Sequence, residues 1–190
     1  MTPLVSALIL VAVAMMGVYV SWRAGRLDRL HTRLETARAS LDAALVRRSS
    51  VALELAASGL LDPATSLLLA EHAHSARSTT QGRELAESEL TRTLRTVLQQ
   101  PDFRSFVAVQ DRAGADELLE ELESTAHQVF LARKFYNDAV ATTIAARRRW
   151  LVRVLRLAGG APMPEFFEID DMLTASELDE QASDMPHLAG

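Results

Sequence analysis

The most apolar part of the chain is its beginning. From Leu4 to Trp22, nineteen residues pass without an acidic or basic side chain. A helix of that length, rising about 1.5 Å per residue, roughly matches the thickness of the hydrocarbon core of a bilayer. The run has no basic stretch before it and no small-residue cleavage site after it, and it is longer than the core of a secretory signal peptide. Residues 1–22 are therefore predicted to form a transmembrane anchor.

The charges beside this run set its predicted orientation. Four arginines follow within about 15 residues of its end, and they are Arg23, Arg26, Arg29 and Arg33. The flank richer in Lys and Arg stays in the cytoplasm, so residues 23–190 are predicted to face the cytoplasm, with the N-terminus outside a single-pass cell-membrane protein. Tyr19 and Trp22 stand at the same end, where aromatic rings sit at headgroup level.

After the anchor, apolar residues recur at intervals of three and four, as they do on one face of a helix. The first stripe comprises Leu27, Leu30, Leu34, Ala37, Leu41 and then Ala44 or Leu45. The anchor is predicted to run straight into this helix. Gly59, Asp62 and Pro63 mark its end and the next start, because glycine suits a helix C-terminus while aspartate and proline suit an N-terminus.

A second long helix is predicted from Pro63 to Gln99, with a soft spot or kink at residues 75–82. Its predicted apolar face comprises Leu67, Leu68, Ala70, Ala73 and His74 before the soft spot, and Leu85, Leu90, Leu94, Val97 and Leu98 after it. Pro101 ends the helix, since the residue before a proline is biased away from the helical conformation.

A third long helix is predicted to begin near Asp116. Its stripe comprises Leu118, Leu122, Thr125, Val129, Ala132, Tyr136 and Val140. Acidic residues near its start and arginines near its end complement the helix dipole. No alternation of apolar and polar residues is long enough for a strand. The sequence thus predicts an all-α fold, an antiparallel, coiled-coil-like bundle of three long helices over residues 23–171, with short pieces such as residues 103–109 packed on it.

Composition narrows the possible functions. The 168 residues after the anchor suffice for one domain with a sizeable core, and the absence of cysteine excludes disulfides and thiolate chemistry. The net charge of −5 is uneven, because residues 165–190 hold eight acidic and no basic side chains. Residues 172–190 are predicted to be a disordered acidic tail. The basic residues are too dispersed, and the aromatic residues too few, for a nucleic-acid partner.

Motifs for catalysis or metal binding are missing from the sequence. His72 and His74 stand two positions apart, so on a helix they point about 200° away from each other and cannot share an ion. Glu71 and His74 have the spacing of half a di-metal site, but no second copy accompanies them. No nucleotide-binding or nucleophile motif occurs either. No catalytic residue, metal or cofactor is predicted.

A basic amphipathic stretch covers residues 147–157. Its candidate membrane-surface residues are Arg147, Arg148, Arg149, Trp150 and Arg153. Such a stretch can lie on an anionic membrane or dock a partner. The alternative is an ordinary helix end, with Trp150 folded onto the bundle.

Four segments resemble the LemA family of bacterial membrane-anchored proteins. LARKFYNDAV (131–140) is similar to the family's segment around Arg-x-Tyr-Asn, and LDAALVRR (41–48) to its early stretch ending in a double arginine. QPDFRSF (100–106) resembles a Tyr-Pro-Asp turn, and PEFFEID (164–170) the closing Phe-Phe-Glu-Ile. These segments fall in the family's order. The chain departs from the pattern after the double arginine, where the usual Leu-Ile-Pro-Asn is replaced.

The resemblance implies a helical bundle on a membrane stalk and supplies no reaction. Within it, five residues are predicted to specify the fold or to bind a partner: Arg47, Arg48, Tyr136, Asn137 and Asp138. Tyr136 and Val140 are expected in the core. Asn137 and Asp138 are expected to link helices, with Arg47 or Arg48 as partners, and any buried charge has to be paired. Phe166 and Phe167 are expected to dock on the bundle.

These observations predict a non-enzymatic interaction protein of the bacterial envelope, bound to the lipid bilayer and to another membrane or envelope protein. Two alternatives remain from other classes. One is a membrane-surface-binding or remodelling protein that uses residues 147–157. The other is an enzyme or regulator whose site combines residues from several helices.

Overall fold

Helices account for all the regular secondary structure that the computed structural model describes. The predicted all-α class is thereby confirmed for the described part of the chain. The described residues are 2–100, Phe103, Val107, 114–148 and 162–171, without the side chains of Thr2, Val20, Arg23, Ala24 and Leu27. The predicted tail at 172–190 lies outside them.

The first helix, α1, spans Thr2–Ala57 and its 56 residues are unbroken. The apolar run and the first amphipathic stripe therefore belong to one helix, as the sequence predicts. Every described side chain from Pro3 to Tyr19 is exposed. In the part of the chain that the structure describes, no helix combines the length and the apolarity needed to cross a membrane.

The predicted boundary after α1 is confirmed. Gly59 has a φ of 73°, a left-handed conformation that glycine adopts without steric cost. Asp62 then caps the helix α2, Pro63–Ser78, and its Oδ1 accepts hydrogen bonds from the amides of Ala64 and Thr65 at 3.0 and 3.1 Å. A hydrogen bond from the Thr65 side chain, followed by these amide bonds, holds the pKa of the Asp62 carboxyl below its ordinary value.

The prediction of one helix from Pro63 to Gln99 is wrong. The chain leaves the helical conformation at Thr79, and a new helix, α3, spans Arg83–Leu98 after Gly82, whose φ is 75°. His72 Nδ1 and Thr93 Oγ1 lie 2.6 Å apart, whereas a continuous helix would separate these residues by about 30 Å. The predicted soft spot is a complete reversal, and α2 and α3 lie side by side.

The predicted apolar face of α3 is confirmed at Leu90, Leu94 and Val97, which are buried, whereas the face of α2 is shifted from the predicted one. Leu67 and Leu68 are 72% and 47% exposed, whereas Leu69 is fully buried. On α3, Leu85 is 64% exposed and Glu87 is buried. A run of consecutive apolar residues such as 67–70 leaves the phase of a helix ambiguous, because every face then carries one of them.

The last described helix, α4, spans Ala115–Arg147 and has 33 residues. It begins after Gly114, whose φ is 87°, and it confirms the predicted third helix. Asp116 and Glu117 lie in its first turn and Arg147 in its last, where each charge interacts favourably with the helix dipole. Phe103 and Val107, between α3 and α4, are helical and buried.

The chain divides into two compact units, and α1 and α4 contribute to both. The first unit, residues 1–38 and 135–166, includes the apolar run and the end of α4, where Val140 is fully buried. The second unit, residues 39–134 and 167–190, contains α2, α3 and the adjoining parts of α1 and α4. Its core combines all four helices and includes Val51, Leu55, Leu69, Ala73, Leu90, Leu94, Phe103, Leu119 and Leu122.

Candidate functional site: a buried arginine–glutamate network

Arg48 is the largest fully buried side chain that the structure describes, with 0% exposure. It lies on the same face of α1 as Leu41, Leu45 and Ala52, which are also buried. Its neighbour Arg47 is exposed and pairs with Glu121 on α4. Successive residues on a helix point about 100° apart, so only one of the two arginines can face the core.

The guanidinium of Arg48 is held by two residues of α3. Its Nη2 donates to Glu87 Oε2 at 2.8 Å, and its Nη1 donates to Thr91 Oγ1 at 3.0 Å. The Glu87 side chain is 1% exposed. This buried ion pair links α1 directly to α3.

A second ion pair adjoins the first. Arg83 Nη1 donates to Asp42 Oδ1 at 2.6 Å, while Arg83 Nε lies 3.7 Å from Glu87 Oε1. The cluster therefore contains two cations and two anions, with Arg48 and Glu87 at its buried end and Asp42 at its partly exposed end. We call these residues, together with Thr91, the Arg48 network.

The network is not fully satisfied. Arg48 Nε and Glu87 Oε1 have no hydrogen-bond partner among the described residues. Burial raises the pKa of Glu87, and the neighbouring Arg48 and Arg83 offset part of that effect. Because the pair is closed to solvent, it has no access to a substrate, and its chemistry suits a structural link between helices.

Sequence reasoning singled out Arg48 but missed its partners. Arg83, Glu87 and Thr91 stand at successive intervals of four on α3, so they lie along one side of the helix. That ladder was the available signal. The sequence of α3 alone does not show that Glu87 is buried, because a buried glutamate needs a cation from another helix.

We expect Glu87→Gln to remove a pH-dependent part of the stability. Burial raises the pKa of Glu87 above its ordinary value in the folded chain, so folding favours its protonated form. The stability from this group is fully present below the unfolded pKa and is lost as pH rises through the folded pKa. Urea unfolding should therefore show that the unsubstituted chain loses stability relative to Glu87→Gln as the pH rises from the unfolded pKa of Glu87 through its folded pKa. Glu54→Gln, at an exposed position of α1, is the matched control. A pH-independent difference between Glu87→Gln and the unsubstituted chain would contradict the assignment.

The predicted partners of Asp138 are corrected by the structure. Asp138 Oδ2 accepts from Arg33 Nη2 at 3.0 Å, and both side chains are more than half exposed. Arg47 lies fourteen residues further along α1 than Arg33, which is about 21 Å along a helix axis. Arg33 and Arg47 therefore cannot serve the same carboxylate. Asn137 is half-buried.

Tyr136 is half-buried, less than the core position expected for it. Its hydroxyl donates to the carbonyl oxygen of Glu165 at 3.0 Å. Tyr136 thus ties α4 to the chain that follows it within the first unit. Four of the five predicted residues contact separate partners: Arg47 pairs with Glu121, Arg48 with Glu87, Tyr136 with the Glu165 carbonyl and Asp138 with Arg33.

Residues 167–171, which we call the docked segment, lie against α3 and α4. Asp171 is 1% exposed and accepts from Arg133 Nε and Nη2 at 2.5 and 3.0 Å. Asp170 accepts from Arg95 at 2.6 Å. The amides of residues 168 and 170 donate to side chains of α3, namely Glu84 Oε1 and Ser88 Oγ, at 3.0 and 3.1 Å.

The docked segment was only partly foreseen. Phe167 is half-buried, as expected of a docked residue, but Phe166 is 45% exposed. Ionic contacts of Asp170 and Asp171, which the sequence analysis did not predict, hold this segment to α3 and α4 within the second unit. The signal was the pair of adjacent aspartates after an apolar segment, but their arginine partners lie 38 and 75 residues away.

The predicted membrane-surface residues are described only in part. Arg147 is half-buried at the end of α4, and its Nη1 donates to the carbonyl oxygen of Pro162 at 2.6 Å. Arg148 is exposed. Arg149, Trp150 and Arg153 lie outside the described residues.

No metal-binding cluster is found in the described part of the chain, where no group of three His, Cys, Asp or Glu side chains could hold an ion. His72 contacts Thr93, and His74 is exposed. No protein-family model, curated protein or solved structure matches this chain.

Proposed function

We propose that this chain is a membrane-anchored, non-enzymatic interaction protein of the LemA type. Residues 1–22, which contain the whole uncharged run, anchor it in the bilayer. The helical bundle of residues 23–171 faces the cytoplasm and binds another membrane or envelope protein.

The observation that supports the anchor best is the exposure of the apolar run. Ten large aliphatic or methionine side chains between Leu4 and Val18 are 55–78% exposed. Covering them is worth on the order of 10–20 kcal/mol, at about 1.5–3 kcal/mol for each fully buried side chain. Soluble monomers rarely leave such a surface open to water. A helix that is apolar on all sides is suited to lipid.

The Arg48 network supports interaction rather than catalysis. The network is closed to solvent at its Arg48–Glu87 end, so it suits a structural role. A tether restricts the search for a partner to the membrane plane and raises the effective concentration of that partner. A rigid bundle on a stalk can use this effect without any chemical step.

The first test is fractionation of cells that express the full chain. We expect the chain to stay in the membrane pellet after alkaline extraction and a chain without residues 1–22 to be soluble. Ile9→Arg combined with Val11→Arg should release it as well, because each central arginine costs about 2.5–3.5 kcal/mol of insertion. The matched control, Thr32→Arg with Thr36→Arg, adds the same charges at exposed positions of α1. Recovery of a soluble chain whose apolar run has been cut off would refute the anchor.

The same cells can report orientation. The chain has no cysteine, so a single Ser40→Cys substitution at an exposed position of α1 gives one reactive thiol. An impermeant maleimide should label it only after the cells are opened. Labelling of intact cells would reverse the orientation.

The alternative of a membrane surface formed by residues 147–157 is less favoured by the described contacts. Arg147 is already engaged with the Pro162 carbonyl, which suits a helix end. Liposome binding that disappears in an Arg147→Glu, Arg148→Glu and Arg149→Glu chain lacking residues 1–22 would support the alternative.

A further inference from the structure

A cleft lies on α1 directly after the apolar run. It has a volume of about 410 Å³ and is lined by Trp22, Arg26, Arg29, Leu30 and Arg33. At about 100° per residue, these five positions fall within roughly 100° of arc, so they share one face of the helix. The acidic residues nearest in sequence, Asp28 and Glu35, fall on the opposite side of α1 by the same geometry.

The three arginines lie at different distances from the end of the apolar run along the helix axis. Arg26, Arg29 and Arg33 follow Trp22 by four, seven and eleven residues, which places their backbones about 6, 10 and 16 Å beyond it along the helix axis. The headgroup layer of one leaflet is about 5–8 Å thick. Arg26 therefore lies at the level of the headgroups, whereas Arg33 lies beyond them.

Side-chain contacts sharpen this distinction. Arg29 Nε donates to the carbonyl oxygen of Gly25 at 3.2 Å, so the Arg29 side chain folds back by one turn toward the apolar run. Long basic side chains near a membrane reach the interface in this way. Arg33 instead donates to Asp138, which balances its charge. Among the three arginines that line the cleft, Arg26 and Arg29 are therefore the two closest to the headgroups.

We propose that Arg26 and Arg29, with Trp22 beside them, form a binding site for the phosphate of an anionic lipid headgroup. This inference rests on the proposed membrane anchor. A guanidinium presents parallel N–H donors that match two phosphate oxygens, and the Trp22 ring is suited to the interface below them. A zwitterionic headgroup carries its own cation, which competes for the same phosphate. The site therefore prefers a lipid with a net negative charge.

The test is lipid selection by the full chain, reconstituted in phosphatidylcholine vesicles that contain spin-labelled phosphatidylglycerol or spin-labelled phosphatidylcholine. The immobilised fraction of each label gives the preference. We expect phosphatidylglycerol to be favoured, with a contribution of about five-fold from each arginine at low salt. Arg26→Gln with Arg29→Gln should remove the preference.

Two controls make the test specific. Arg38→Gln with Arg77→Gln removes the same charge at exposed positions, and Arg38 lies away from the cleft on α1; this variant should keep the preference. Inorganic phosphate at constant ionic strength should not compete, and competition would assign the site to free phosphate instead of lipid.

The outcomes separate the site from the anchor. The lipid site would be overturned, and the anchor left intact, if the unsubstituted chain immobilised both labels equally. The same would follow if both double variants lost the preference for phosphatidylglycerol equally. If neither label is immobilised, the chain is not in the bilayer, and the proposed function fails as well.

Discussion

Replacing Arg48 with methionine is expected to lower the free energy of unfolding by about 3–5 kcal/mol. The reason is the burial of Glu87, whose side chain is 1% exposed and accepts the Arg48 hydrogen bond at 2.8 Å. Without Arg48, that carboxylate must be protonated or remain charged in the core. The measurement is urea unfolding of the full chain in detergent, followed by circular dichroism.

The neighbouring arginine provides a matched control. Arg47→Met removes the same charge one residue earlier on α1, from an exposed pair whose side chains are 62% and 36% accessible. Surface pairs of this kind contribute about 0–1 kcal/mol. Two adjacent, identical substitutions should thus differ by several-fold in their effect.

A double variant separates the cost of an orphaned charge from the value of the pair. Arg48→Met combined with Glu87→Met fills the site with apolar side chains of similar length. Such replacements of buried ion pairs are often neutral or stabilising, so most of the lost stability should return. If the double variant is as unstable as Arg48→Met alone, the loss arises from packing and not from the unpaired carboxylate.

Local chemistry made part of this fold predictable. The boundary at Gly59, Asp62 and Pro63 depends on residues that act within one turn, and the structure has it where the sequence placed it. The turn between α2 and α3 was visible in the sequence too, but only as a soft spot. Whether the chain bends or reverses at Gly82 depends on which residues α2 and α3 pack against. Those contacts cannot be read from the local sequence.

Burial of charge was the least predictable feature. The double arginine drew attention to residues 47 and 48, but the choice between them needed the phase of α1 relative to the other helices. Glu87 resembles an ordinary surface residue in a segment with charges on both sides. Its burial follows from Arg48, which is 39 residues earlier in the chain. The same limit applies to Asp171 and Arg133.

Asp171→Asn is expected to release the docked segment and to cost about 1–3 kcal/mol of stability. Asp171 is 1% exposed, and Arg133, its bidentate partner, is 15% exposed. An asparagine has one acceptor oxygen in place of two, so it cannot match both N–H donors of Arg133 in the same geometry, and it carries no charge. The estimate is below that for Arg48→Met because water reaches part of Arg133.

Amide hydrogen exchange can distinguish local release from global loss. The amides of Glu168 and Asp170 donate to side chains of α3, so they should exchange faster in Asp171→Asn while the amides in the middle of α3 keep more of their protection. Asp170→Asn is the matched control, since Asp170 and Arg95 are 36% and 30% exposed and the pair is worth about 0–1 kcal/mol. Equal effects of the two substitutions would mean that the segment is held by its apolar residues and not by the buried carboxylate. A larger effect at Asp171 would place the main attachment of the segment on α4.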